Sequence, residues 1–148
     1  MYVEYFDSFL GRLEIVADEN FLLEVHLVKR EKESAPNAIT MLTAEWLREY
    51  FAKKCPSWLP PLRFRSEFSQ MVSEAVMEIE CAQTQSYSQV AARIGREGSQ
   101  RAVAQVMKHN PYMIIVPCHR VVAKNGLGGY NGGIEIKKKL LEFEGAYR

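Results

Sequence analysis

No stretch of this 148-residue chain approaches the roughly eighteen consecutive apolar residues that a membrane-spanning helix needs, so no helical span is expected. Its start, MYVEYFDSFLGRL, has no basic segment followed by an apolar one, and the expectation is therefore no export signal and a cytoplasmic location. Cysteine is scarce. Cys55, Cys81 and Cys118 are odd in number and far apart, which argues against both a disulfide framework and a Cys-x-x-Cys metal knuckle, and favours free thiols in a reducing compartment. The first sixty residues offer only Cys55 and His26 as soft metal ligands, too few for a four-coordinate site, so no metal is expected there. Internal repeats and low-complexity tracts are also missing. What remains, with 47% hydrophobic residues, is enough to bury a real core, and disorder is excluded.

The formal net charge of +1 conceals an asymmetry. Residues 1–86 hold 9 Lys and Arg against 14 Asp and Glu, whereas residues 87–148 hold 10 against 4, a balance of −5 followed by +6. The basic portion includes Arg93, Arg96, Arg101, Lys108, Arg120, Lys124 and Lys137 to Lys139. Charge alone suits either phosphate contacts along nucleic acid or a merely solvated basic face.

The spacing of apolar residues predicts an α+β chain. Strands are expected at Tyr2 to Phe6, Leu13 to Ala17 and Phe21 to Val28, forming a small antiparallel sheet. The charged loop 29–36 leads to a helix whose inward stripe is Ile39, Leu42, Trp46, Leu47, Tyr50 and Phe51. The proline-rich segment from Lys53 to Pro61 cannot continue a helix and reads as a linker, dividing the chain into domains 1–60 and 61–148. The second domain is expected to be mainly helical. Ser66 caps a helix carrying Phe68, Met71, Val72, Ala75, Val76 and Ile79. Ser88 is the expected cap of a helix from Gln89 to Ile94 ending at Gly95, and Ser99 that of a helix from Gln100 to Met107. This pair is a helix-turn-helix or a plain packing unit. A strand is expected from Tyr112 to Val116, then a loop with Gly126, Gly128, Gly129, Gly132 and Gly133, which lacks the Gly-Lys-Ser/Thr ending of a phosphate-binding loop. A last helix, about Ile134 to Phe143, turns Leu140, Leu141 and Phe143 inward and stops at Gly145.

Within that frame stands Pro117-Cys118-His119-Arg120-Val121, directly after Ile114-Ile115-Val116. A thiol next to an imidazole and a guanidinium is placed to become a thiolate, yet a small buried hydrophobe at the end of a core strand would read the same. In an extended strand adjacent side chains diverge, so a working Cys118-His119 pair requires a turn at Pro117 or a bridging water. A carboxylate is needed to orient the base, and the basic portion offers Glu97, Glu135, Glu142 and Glu144, of which Glu144, just before Gly145, is the preferred one.

From Ser86 to Ala146 the segments SYSQVAARIG, RAV, NP, PCHRVV, GGYNGG and LLEFEG follow in order. This stretch resembles the O6-alkylguanine-DNA alkyltransferases, the methylated-DNA-protein-cysteine methyltransferases. The resemblance implies that Cys118 accepts the alkyl group, with His119 as water-mediated base, Glu144 as its orienting acid, Asn110 as a brace and Tyr87 as proton donor to the departing guanine. It implies DNA contacts from Arg101, filling the gap left by a flipped nucleotide, together with Tyr87, Ser99, Gln100, Ala102 and Arg120. It places Val121, Tyr130, Asn131, Gly132 and Met107 around the alkylated base. The implied partner is double-stranded DNA containing O6-alkylguanine, met by a monomer that uses no cofactor and no metal. Asn131 stands where the family commonly has Ser, and Arg96-Glu97-Gly98 lacks a Pro often found in that turn. The rival from another class is a noncatalytic alkyltransferase-like damage sensor, which carries Trp in place of the acceptor Cys.

Overall fold

Alternating apolar and wet residues near the start produce a hairpin. The computed structural model describes residues 1–146, and the last two positions of the expected second domain lie outside the described residues. Strands β1 (Tyr2–Ser8) and β2 (Gly11–Ala17) pair antiparallel from Tyr2↔Ala17 to Ser8↔Gly11. The tight turn is closed by the Ser8 hydroxyl, which donates to the Gly11 carbonyl at 2.8 Å and accepts from the Leu10 N–H at 3.1 Å. Strand β3 (Leu22–Val28) adds on the far side of β2, with a register shift between Val16 and Ala17. Leu13, Ile15, Ala17, Leu22 and Val25 are buried.

Helix α1 (Ala38–Phe51) starts at a reciprocal cap, in which the Asn37 side chain accepts from the Thr40 N–H and the Thr40 hydroxyl accepts from the Asn37 N–H. Its buried face carries Ile39, Thr40, Thr43, Ala44, Trp46, Leu47 and Tyr50. Leu42, expected inward, is 47% exposed, because the stripe turns through the small Thr43 and Ala44 instead. The proline-rich segment is docked rather than free: Trp46 donates to the Trp58 carbonyl at 2.8 Å, and the Leu22 N–H donates to the Pro61 carbonyl at 2.8 Å. The first compact unit accordingly runs to Arg63, three residues past the expected boundary, and the second is residues 64–148 of the sequence, described to residue 146.

In the second unit, Ser66 caps α2 (Glu67–Met77) by accepting from the Ser69 N–H, and Val72, Ala75, Val76 and Ile79 are buried. Helix α3 (Tyr87–Arg93) begins earlier than expected. Its cap is Ser86, not Ser88: the Ser86 hydroxyl accepts from the Gln89 N–H at 3.1 Å and the Gln89 side chain returns to the Ser86 N–H at 2.8 Å. Gly95 and Gly98, both at positive φ, turn the chain into α4 (Gln100–Lys108). Ser99 occupies the cap position of α4 without a side-chain capping bond, its backbone being at φ −93° and ψ 24° rather than extended. Val103 and Met107 face inward from α4, while Arg101 and Ala102 are exposed.

The expected strand from Tyr112 to Val116 is not one. All five residues are buried, but the chain turns tightly, with Ile114 at φ +73°. Extended backbone would need a pairing partner along its length. Here Asn110 supplies polar groups instead, its Oδ1 accepting from the Tyr112 N–H at 3.0 Å and its Nδ2 donating to the Val116 carbonyl at 2.9 Å. After a single 3₁₀ turn (Cys118–Arg120), strand β5 (Val121–Val122) pairs in parallel with β4 (Gln85–Ser86), and α5 (Ile134–Glu144) ends at Gly145, φ +87°. Leu140 and Leu141 of α5 are fully buried, whereas Phe143 is half-buried. Among the described residues no helix is long and apolar enough to cross a membrane.

The two serine caps give a direct comparison. Ser86→Ala is expected to cost about 1 kcal/mol in urea unfolding, the usual worth of a serving N-cap. Ser99→Ala, which removes no capping bond, is expected to change stability by less than about 0.5 kcal/mol.

Candidate functional site

Two local features bring Cys118 out of the turn and into a site. Pro117 sits at φ −79° and ψ 65°, closing a three-residue turn in which the Cys118 N–H donates to the Val116 carbonyl at 2.7 Å. The following 3₁₀ turn is held by the Arg120 N–H on the Pro117 carbonyl at 2.9 Å. This compact backbone lets consecutive residues do different work, which an extended strand would not. Meanwhile the β4–β5 pairing brings the start of α3 beside the segment that follows Cys118, so Tyr87 and Cys118 line one cavity.

That cavity has a volume of about 370 Å³. Tyr87, Met107, Cys118, Tyr130 and Asn131 line it, with Ala104, Gln105 and Lys108 from α4 and Gly129 from the glycine loop. Gly128, at φ +74°, lies where an added Cβ would meet the Tyr87 ring and hydroxyl, at 3.2 Å and 3.0 Å, so a side chain there would crowd the pocket wall. Asn131 reaches across and donates to the Lys108 carbonyl at the end of α4. Two of the residues expected around the base stand elsewhere. Val121 is fully buried outside the lining and Gly132 packs under the Tyr130 ring. Sequence patterning missed Ala104, Gln105 and Lys108 as pocket residues; they lie on the turns of α4 that also carry Met107, a helical spacing that marks them once that face is known to border the pocket.

Cys118 is only 7% exposed. Burial pushes its thiol pKa up, opposed by the hydrogen bond from Asn110 Nδ2 at 3.3 Å and by the charge of Lys137. Asn110 thus serves the buried turn and the sulfur with one amide. His119 is wholly buried, and its Nε2 lies 2.7 Å from Glu144 Oε2. Burial lowers the imidazole pKa, against the pull of Glu144 and with the help of Arg120 and Lys137, so the ring is neutral. Burial alone would raise the Glu144 carboxyl, but hydrogen bonds from His119 and Arg120 overcome it and hold the group well below the ordinary carboxylate range. A neutral ring facing an ionised carboxylate through Nε2 donates there, which leaves Nδ1 with a lone pair. Among the described residues His119 Nδ1 has no hydrogen-bond partner, and neither does the buried hydroxyl of Tyr130, whose ring meets His119 edge-on at 6.5 Å.

Two cations counted in the basic portion turn inward. Arg120, expected at DNA, is 7% exposed and grips Glu144 through Nε at 2.8 Å and Nη2 at 3.0 Å. Its place in a fully buried turn leaves it unable to reach a phosphate on the surface. Lys137, fully buried on α5, donates to the carbonyls of Val121 at 2.7 Å and Gly129 at 3.0 Å, and burial lowers its pKa to about 8. It was hidden in the Lys137-Lys138-Lys139 run, which reads as uniformly solvated. The remaining expected contacts, Arg101, Ala102, Gln100 and the half-buried Ser99 and Tyr87, lie at or near the start of the two paired helices.

Asn110→Asp tests the amide. The acceptor to Tyr112 survives, but the donors to Val116 and Cys118 are replaced by an anion beside the sulfur. The thiol pKa is expected to rise further, so alkylation of Cys118 by iodoacetamide at pH 7.5, followed by peptide mass, should slow by about tenfold, roughly one pKa unit. Unchanged reactivity would remove Asn110 from control of the thiol.

Residues 67–146 match the family model described as 6-O-methylguanine DNA methyltransferase, DNA binding domain. The chain is 36% identical over 155 residues to a methylated-DNA-protein-cysteine methyltransferase of Methanosarcina acetivorans, covering 99% of each. The crystal structure of Mycobacterium tuberculosis OGT in complex with DNA superposes with a TM-score of 0.84 at 33% identity, over 99% of this chain and 94% of that one. Over 57% of this chain and 80% of the other, Schizosaccharomyces pombe Atl1 in complex with damaged DNA containing O6-carboxymethylguanine superposes at 0.50, with 33% identity. With the family model matching more than half of the chain and the Methanosarcina relative aligned almost end to end, this protein belongs to the methylated-DNA-protein-cysteine methyltransferase family.

Proposed function

We propose that the protein repairs O6-alkylguanine in duplex DNA by moving the alkyl group irreversibly onto its own Cys118, and O4-alkylthymine less well. The observation that carries this reading is a buried thiol opening on a cavity, backed by an imidazole whose far nitrogen rests on an ionised carboxylate. Cys118 passes its proton through a bridging water to His119 Nδ1, and Glu144 stabilises the imidazolium that forms. The thiolate attacks the alkyl carbon in line; the S–C bond forms as the C–O6 bond breaks. Guanine leaves as a neutral base by taking a proton from Tyr87. The product is a thioether, which has no hydrolytic exit, so each molecule acts once.

The alkylated oxygen is out of reach inside the stacked duplex. The nucleotide is therefore rotated into the cavity, at a cost of a few kcal/mol that is smallest for a damaged, poorly paired base. Arg101 fills the gap in the stack, and the small, exposed Ala102 lets α4 approach the backbone of the minor groove. Ser99 and Gln100 add phosphate contacts at the same helix start. Met107, Tyr130 and Asn131 hold the base. Free thiols suit a cytoplasmic location, and the protein needs neither metal nor cofactor for this chemistry.

The sensor reading has the support of the Atl1 likeness, but the acceptor position here holds Cys118. Incubation with a duplex containing O6-methylguanine, followed by intact and peptide mass measurement, decides between them. A gain of one methyl on the Cys118 peptide at one-to-one stoichiometry is expected, and Cys118→Ser should abolish it while still binding the duplex. Binding without mass change would favour the sensor; repeated turnover would contradict the stoichiometric mechanism.

A further inference from the structure

Arg120 is a buried charge to which the reaction above gives no task. Its guanidinium is anchored from outside the site: Nη1 donates to the Ile79 carbonyl at 2.7 Å and Nη2 to Cys81 Sγ at 3.0 Å, both in the segment that follows α2. Its other edge meets Glu144 in a fork, Nε on Oε1 and Nη2 on Oε2. Glu144 Oε2 is the same oxygen that lies on His119 Nε2. One planar cation therefore fixes the carboxylate plane, and the carboxylate fixes the ring. Lysine, a point charge on a flexible stem, cannot hold both oxygens and the Ile79 carbonyl at once.

Resting on the alkyl-transfer reading, we propose that Arg120 is a positioning residue that fixes Glu144 on His119 and keeps the His119–Glu144 pair free of a second proton, so that His119 still accepts the Cys118 proton in mild acid. The carboxylate and the ring are both shut away from water, Glu144 having a side chain only 2% exposed. Without a cation beside them, a proton arriving from acidic solvent neutralises the carboxylate or charges the ring, and either outcome consumes the base. The charge of Arg120 opposes both, lowering the pKa of His119 and of Glu144. Around Glu144 stand His119 and Arg120 from the 3₁₀ turn and Tyr130 from the glycine loop; Lys137 on α5 and Cys118 act on the same cluster, and Cys81 touches it through Arg120. Arg120 contacts the carboxylate directly, through both of its oxygens.

The test is a pH profile, from 5.5 to 8.5, of two rates for each protein: single-turnover transfer from an O6-methylguanine duplex, and alkylation of Cys118 by iodoacetamide without DNA, read by peptide mass. In the wild type both rates should follow only the titration of the thiol and the neutral ring. Arg120→Met should add a loss on the acid side of about tenfold or more at pH 6 relative to pH 8, within the range one acid-base group supplies. Arg120→Lys should restore part of it. In a Glu144→Gln background, Arg120→Met should move the iodoacetamide profile by less than about twofold, because the group through which Arg120 acts is gone. A loss equal at every pH, or one that persists in full beside Glu144→Gln, would overturn the proposal and leave Arg120 as a structural tie between α2 and the turn. If Arg120→Met does not fold, an Arg120→Lys profile identical to the wild type overturns it equally. A wild type that reacts with iodoacetamide but takes no methyl from the duplex would refute the alkyl-transfer reading while the iodoacetamide arm still decides the role of Arg120.

Discussion

A carboxylate buried between an imidazole and a guanidinium is the interaction on which the site depends. Glu144 is removed from water at the end of α5, where burial alone would neutralise it. Breaking such a buried pair by removing one partner typically costs about 3–5 kcal/mol, since an uncompensated charge is left behind. The rest of the second unit is arranged to meet that demand. Gly145 at positive φ ends α5 directly after Glu144, Leu140 and Leu141 seat the helix in the core, and Pro117 bends the chain so that His119 and Arg120 reach the same carboxylate.

The thiol obeys the opposite logic. Burial pushes the Cys118 thiol pKa up and so favours the protonated form at rest, which would protect the proposed single-use nucleophile from oxidants and stray electrophiles. The Asn110 amide, the charge of Lys137 and a backbone hydrogen bond favour the thiolate, and burial outweighs them. In the proposed mechanism, reactivity is therefore called up by proton transfer to His119 rather than stored in a standing thiolate. Lys137 also joins β5 to the glycine loop through two carbonyls, so the group that tunes the sulfur is the one that shapes the cavity wall.

Much of the fold was legible because it follows simple periodicities. The hairpin, β3, α1, α2 and α5 come from apolar patterning or helical spacing, with start and stop signals at Ser66 and Gly145, whereas the Asn37 cap of α1 emerged only in the structure. The failures have specific causes. Tyr112 to Val116 is as apolar as a central strand, but its backbone turns on itself through the Val116 N–H on the Tyr112 carbonyl and is braced by the Asn110 side chain, a side-chain-to-backbone solution that apolar periodicity does not carry. Ser86 outcompeted Ser88 as a cap because Gln89 could answer it from three residues ahead. Arg120 and Lys137 read as surface charge, since composition cannot distinguish a cation facing phosphate from one facing a buried carboxylate or carbonyl. The motif around Cys118 singled out the residue proposed above as the acceptor; the fork of Arg120 on Glu144 emerged only in three dimensions.

The central claim is that His119 rests as a neutral ring, protonated on Nε2 toward Glu144, with Nδ1 open to take the proton of Cys118. Nitrogen-15 chemical shifts of the His119 ring, measured by NMR at pH 6.5 and 7.5, test it most directly. The account predicts a pyrrole-type Nε2 and a pyridine-type Nδ1 at both values. Two protonated nitrogens, or a proton on Nδ1, would contradict it.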